Sequence, residues 1–356
     1  MLHTRRMEAV LSDISALAYW RSHSDDLGGV FADHRMEPKS RGVPAIDAPT
    51  KTTADDIASW GLADREDIHL LVSFRGNCRS IKGVTCAVCS PEMPRNSLVR
   101  TLGQVYVVCP ELLFMQLAQK LSFAELLAVG HELCGTYRLG PEPEAAPAYN
   151  TQALTSVSEL KSYAQRAKGI RGRTKALQAI PWLADGSASP AETALSIMFR
   201  LPYRHGGYGL GKPLLNHEIA LNPTAERLFG RGAIRPDFYW SEARHPAEYD
   251  GALYHSSREQ AEYDERRRNA YAAMGMSVTV LSTRHLYNLD LLDEMAQVIR
   301  KNIGIKRCEL PADYSIRHDA LFEETCAYWI NLKNSTFGNE EIAWGAARYA
   351  APNMPW

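Results

Sequence analysis

Ile234-Arg235-Pro236-Asp237-Phe238-Tyr239-Trp240, a short connection from Ser241 to Pro246, and then Ala247-Glu248-Tyr249-Asp250-Gly251 decide which fold this chain takes. Two β-like runs flank a polar connection containing Glu242, Arg244 and Pro246, which is the pattern of a hairpin. Alternate side chains of a strand face opposite ways. Glu248 and Asp250 therefore share one face, and Tyr249 takes the other. The hairpin then sets Asp237, near the start of the first strand, beside that acidic face. Carboxylates gathered on one patch repel one another, and some are driven to protonate. A divalent cation removes that cost. Mg2+ prefers a few carboxylates together with waters and phosphate oxygens. The pattern thus points to phosphodiester hydrolysis, in which the metal polarises the phosphate and acidifies an attacking water.

Outward from the hairpin, more groups point to the same centre. Ser187-Ala188-Ser189-Pro190-Ala191-Glu192-Thr193 reads as a helix start, with Ser189 as N-cap, Pro190 at the first helical position and Glu192 at the third. Glu192 is then half of a capping box and also an acid delivered to the metal centre by a helix. His255 follows Gly251 and is placed to orient substrate or assist proton transfer. The pattern predicts a helix from about Ser257 to Met274, ended by Gly275. Asp264, Arg267 and Arg268 lie within one turn of it. They form either an intrahelical ion pair or a set that holds an arginine near the scissile phosphate. A strand from Met276 to Leu281 and a covering helix from Leu286 to Ile303 follow.

Arg235-Pro236-Asp237-Phe238, Glu248-Tyr249-Asp250-Gly251, His255, Asp264-Glu265-Arg266-Arg267-Arg268 and the strand after Gly275 resemble bacterial domains related to very-short-patch-repair (Vsr-like) endonucleases. These belong to the PD-(D/E)XK superfamily. Ser189-Pro190-Ala191-Glu192 matches the family's helix-borne acid. The resemblance implies a restriction-endonuclease-like core, a mixed central sheet flanked by helices. It also implies a divalent metal, Mg2+ or Mn2+, held by Asp237, Glu248 and Glu192, and action on DNA in defence or repair. Asp250 stands where the superfamily's lysine would fall. The alternative is a DNA-binding regulator or antitoxin-like protein whose nuclease fold is inactive. Val105 to Glu111, with the helices and basic segment after it, resembles AbiEi-type antitoxin or regulator proteins that carry such a C-terminus.

The chain has 356 residues, 45% of them apolar and 23% charged, which are ordinary globular values. Its net charge of -1 gives no overall basic footprint, so any DNA-binding surface is local. One such patch is a basic helix pair in which Lys161, Arg166, Lys168, Arg171, Arg173 and Lys175 fall within 15 residues. It reads either as a solvated face or, together with Arg267 and Arg268, as a phosphate-contacting surface. No run approaches the roughly 18 apolar residues of a membrane span, and the N-terminus lacks the apolar core of a signal peptide. A cytoplasmic protein with DNA as partner and no membrane association is expected; no protein partner is legible. Seven cysteines fit reduced thiols. Cys86-Ala87-Val88-Cys89 lacks a second ligand pair for zinc and reads as buried strand. Gly206-Gly207-Tyr208-Gly209-Leu210-Gly211 reads as a flexible turn approaching a ligand or the active site.

The expected organisation is α/β. Residues 1–55 are an unassigned segment, 56–140 a smaller α+β domain, and 141–186 a linker with the basic helices. Residues 187–306 form the nuclease-like domain, and 307–356 a C-terminal extension.

Overall fold

In the computed structural model the chain divides at Gly186. Unit 1 comprises Met1–Glu142 and Pro147–Asp185, and unit 2 comprises Pro143–Ala146 and Gly186–Trp356. The structure describes residues 7–23, 45–90, 93–102, 104–140, 145–251, 258–306 and 308–337, with the side chains of 258–260 and 327–337 excepted.

Unit 1 is built on a five-stranded mixed sheet. Its elements are β1 (Ala9–Leu11), α1 (Asp13–Ser22), α2 (Lys51–Ser59), β2 (Ile68–Val72), β3 (Val84–Val88), β4 (Leu98–Arg100), β5 (Val105–Val108), α3 (Pro110–Leu117) and α4 (Phe123–Leu133). A two-stranded ribbon of β6 (Tyr137–Arg138) and β7 (Ala148–Tyr149) follows, then α5 (Val157–Arg166) and α6 (Arg173–Ala179). The strand order is β3-β2-β1-β5-β4, with β1 parallel to β5 and antiparallel to β2. The segment before residue 55 thus supplies the middle strand of the sheet. Trp20 on α1 is fully buried and donates to the Val108 carbonyl at 2.9 Å. The basic helices, expected in a linker, pack on α3 instead. Leu160, Tyr163, Ala164, Ala176 and Ala179 are buried, and the Tyr163 hydroxyl meets Ser97 Oγ at 2.6 Å. Their apolar stripes need a partner, and α3, buried along its length, provides it.

Unit 2 runs α7 (Pro190–Arg200), β8 (Leu214–Leu215), β9 (Ile219–Ala220), α8 (Pro223–Phe229), β10 (Ala233–Ile234), β11 (Phe238–Trp240), β12 (His245–Asp250), α9 (Arg258–Ala273), β13 (Thr279–Ser282), α10 (Thr283–Tyr287), α11 (Leu289–Asn302) and α12 (Tyr314–Phe337). The main sheet has the order β13-β12-β11-β8. β11 is antiparallel to β8 and β12, and β12 is parallel to β13. The expected hairpin forms, but its first arm is broken. Ala233 and Ile234 pair with β9 in a separate ribbon, and the ladder resumes only at Phe238. Pro236 has no N–H for the ladder, which accounts for the break. Asp237 sits in the gap.

The sheet is covered on both faces. Phe238 and Trp240 pack against Phe199 of α7, with ring centroids 5.4 and 6.0 Å apart. Tyr239 alternates to the other face, into a cluster with Phe229, Ile234, Ala270, Tyr271 and Met276. The glycine-rich turn is structural. The Gly206 carbonyl accepts from His318 of α12 at 2.5 Å, and a β-carbon on Gly207 would lie 2.1 Å from the Leu201 carbonyl. Close backbone packing requires Gly206 and Gly207.

Gly172, before α6, has φ of 82°, and a β-carbon there would lie 2.0 Å from the Met115 carbonyl oxygen. Gly61 also has positive φ (69°) but has open space around it. Gly172→Ala is expected to destabilise the protein by more than the roughly 1 kcal/mol of left-handed strain that Gly61→Ala costs. Denaturant unfolding of the two variants checks this; equal costs would contradict the packing described.

Candidate active site

Glu192 is fixed by the start of α7. Ser189 Oγ accepts from the Glu192 N–H at 3.1 Å and donates to Glu192 Oε1 at 2.9 Å, while the Ala188 N–H donates to Oε2 at 2.9 Å. Ser189 caps the helix, but the expected reciprocal capping box is not closed: the Glu192 carboxylate reaches the Ala188 N–H instead of the N-cap N–H, and these contacts aim it. Asn216, just after β8, donates from Nδ2 to Glu192 Oε2 at 2.6 Å and to the Gly186 carbonyl at 3.0 Å. Its own N–H bonds to the Asp237 carbonyl at 3.1 Å. Its φ is +48°, a conformation that asparagine tolerates better than most residues. Asn216 therefore ties the helix-borne acid to the start of the hairpin. Sequence reading missed it, because a two-residue strand leaves little periodic signal.

Asp237 Oδ2 accepts the Tyr249 N–H at 2.6 Å, across the hairpin. Glu248 lies on β12, with its side chain 14% exposed, beside Arg267 of α9. Arg267 Nη2 lies 2.7 Å from Glu248 Oε1 and 2.9 Å from Oε2, and also donates to the Arg235 carbonyl. The Tyr271 hydroxyl donates to Oε1 at 2.5 Å. Tyr271 is a second residue missed, its spacing on α9 reading only as packing. Arg267 and Tyr271 are one turn apart, so both reach the same carboxylate.

The three acids interact electrically. Burial, then the charge of Asp237, push Glu192 up to about 7, against hydrogen bonds from Ala188, Ser189 and Asn216. Burial also lifts Glu248 to about 7, with Arg267 opposing and Asp237 adding to the rise. Asp237 is itself raised by burial, against the Tyr249 N–H and the charge of Arg267. Its charge thus acts on both glutamates.

Other expected site residues fare differently. Asp250 is exposed. The hairpin ladder ends at Phe238 and Ala247, so Asp250 lies beyond it, facing β13 at Ser282. It does not join the buried acids. His255 lies outside the described residues. Arg268 is exposed on α9. In unit 1, Lys161, Arg166, Lys168 and Arg171 are exposed, but Arg173 and Lys175 are not simple solvent-facing cations. Arg173 donates to the Ala164 carbonyl at 2.7 Å, and Lys175 to the Leu121 carbonyl, so both fasten the helices.

Among the described residues no three His, Cys, Asp or Glu side chains are already grouped as a cage for a metal ion. Glu248 is turned onto Arg267 and Tyr271, and Glu192 onto Asn216 and the helix start. The donor set nonetheless has the chemistry of a hard divalent cation: carboxylates of depressed acidity sharing one repulsive field. Comparison with family models, curated proteins and solved structures gives no match to this chain.

Glutamates raised from 4.5 to about 7 bind protons in the folded protein that they have lost in the unfolded chain. Without metal, stability therefore falls as pH rises from about 4.5 to above 7. Glu192→Gln is expected to flatten part of that fall. Thermal melts in chelator from pH 5 to 8 check it; identical slopes for wild type and variant would contradict the burial of an ionisable Glu192.

Proposed function

We propose that unit 2 is a divalent-metal-dependent DNA endonuclease with a restriction-endonuclease-like core of the Vsr-related type. The observation that carries this reading is the set of links around Asp237: Asn216 ties the Glu192 carboxylate to the Asp237 carbonyl, Asp237 accepts the N–H of Tyr249 next to Glu248, and the charge of Asp237 raises both glutamates. Left without a cation, that set costs stability near neutral pH, and a purely structural scaffold has no physical reason to keep it. The succession of α7, β8, β11, β12, α9 and β13, with the strands in the order β8-β11-β12-β13, supports the same core.

Asp237 and Glu248, with Glu192, would hold Mg2+ or Mn2+. When bound, the ion supplies charge neutralisation, a polarised phosphodiester and an acidified water. The chain supplies the rest. Asn216 and the Ala188 N–H hold the Glu192 carboxyl in one orientation. Were Glu248 to hold the ion, Arg267, now paired with it, would be left as a guanidinium beside the centre for a phosphate oxygen of DNA. Arg268 on the same helix, and Lys161, Arg166, Lys168 and Arg171 of unit 1, are exposed cations available to the DNA backbone.

One observation favours the second reading, a DNA-binding regulator or antitoxin-like protein with an inactive nuclease fold. Glu248 already has both oxygens engaged by Arg267, and Asp250 occupies the place of the superfamily's lysine. A stable Arg267–Glu248 pair would replace the metal and leave binding alone.

The two readings separate in one assay. Purified protein is expected to nick or cleave DNA with Mg2+ or Mn2+ and to stop with chelator. Asp237→Asn is expected to lower cleavage by more than about a hundredfold while DNA binding survives. A folded protein that binds DNA but cuts it with no metal supports the regulator instead.

A further inference from the structure

Unit 1 holds a cleft of about 680 Å³ that shares no residue with the acidic centre of unit 2. We infer that it binds a small organic phosphate of nucleotide size. The volume lies within the roughly 300–1,000 Å³ of small-ligand pockets. The cleft lies at the carboxyl end of β1, the middle strand, where the chain passes through Ser12 and Asp13 into α1.

Asp13 is built into this cleft under strain. It is 9% exposed and sits at φ of 54°, a conformation that a non-glycine residue keeps only where its surroundings dictate it. Its N–H donates to the Gln116 side-chain carbonyl at 3.0 Å. One carboxylate oxygen is sealed without a hydrogen-bond partner among the described residues, and the other is paired with Lys120 and lies 3.8 Å from His69 Nδ1. The opposite ring nitrogen of His69 meets Asp67 Oδ1 at 2.9 Å.

The charge balance of the lining names the ligand. Arg75, Lys120 and Arg171 line the cleft, and Asp13 is the one acid among its described lining residues. Asp13 answers Lys120, which leaves two guanidiniums that no carboxylate meets among the described residues. Two such forks with a nearby ammonium match a multiply charged phosphate better than a single carboxylate. Leu71, Leu112 and Ile170 add apolar lining on which the organic part can lie.

Calorimetric titration of the full chain with AMP, ATP and pyrophosphate, each alone, tests the inference. At least one probe is expected to bind with one-to-one stoichiometry. Arg75→Ala and Arg171→Ala should each weaken it about tenfold or more. Both side chains are exposed, so melting temperatures should hold. Asp13→Asn should tighten binding by up to about fivefold, because it frees Lys120 while asparagine accepts the left-handed backbone. The inference is overturned if no probe binds, if both arginine variants bind as wild type does, or if duplex DNA alone occupies the site.

Discussion

The hydrogen bond from the Tyr249 N–H to Asp237 Oδ2 fixes the chemistry of unit 2. It spans the hairpin where Pro236 has interrupted the ladder. It therefore supplies the cross-strand link that the missing N–H cannot, and it keeps a carboxylate inside the protein. Once Asp237 is held there, every neighbouring acid must answer its charge. Glu192 arrives from the capped start of α7 and Glu248 from β12, and both are pushed toward neutrality at ordinary pH.

The unit manages this crowding by separate local means. Glu192 leans on an asparagine, a serine and a backbone N–H, none of which carries charge. Glu248 instead takes a full countercharge from Arg267 and a hydroxyl from Tyr271. Ion pairs taken out of water recover their desolvation cost only with good geometry and further hydrogen bonds, and here the guanidinium Nε has no partner among the described residues. Whether a cation displaces the Arg267–Glu248 pair is therefore what separates the two proposed readings of this unit.

Much of this was legible from local pattern. The Ser189-Pro190-Glu192 cap marked α7 from its first residue, and the alternation around Glu248 marked β12. The residues that escaped act over long range. Asn216 works through contacts 24 residues away, and Tyr271 through one 23 residues away, distances no window of periodicity covers. β1 is three residues long, too short to alternate, yet it is the middle strand of unit 1. Asp250 obeyed the two-residue period but lay past the end of the hairpin ladder, which the sequence does not mark. Arg173 and Lys175 counted as charges in the sequence, whereas folding spends their N–H groups on backbone carbonyls.

The central claim is that the coupled carboxylates form a cation site. Electron paramagnetic resonance of Mn2+ titrated into the protein reads this without relying on turnover. One saturable site is expected, tightening as pH rises through about 7, where Glu192 and Glu248 lose their protons. That site should vanish in Asp237→Asn. A free-ion signal undiminished by wild-type protein between pH 6 and 8.5 would contradict it.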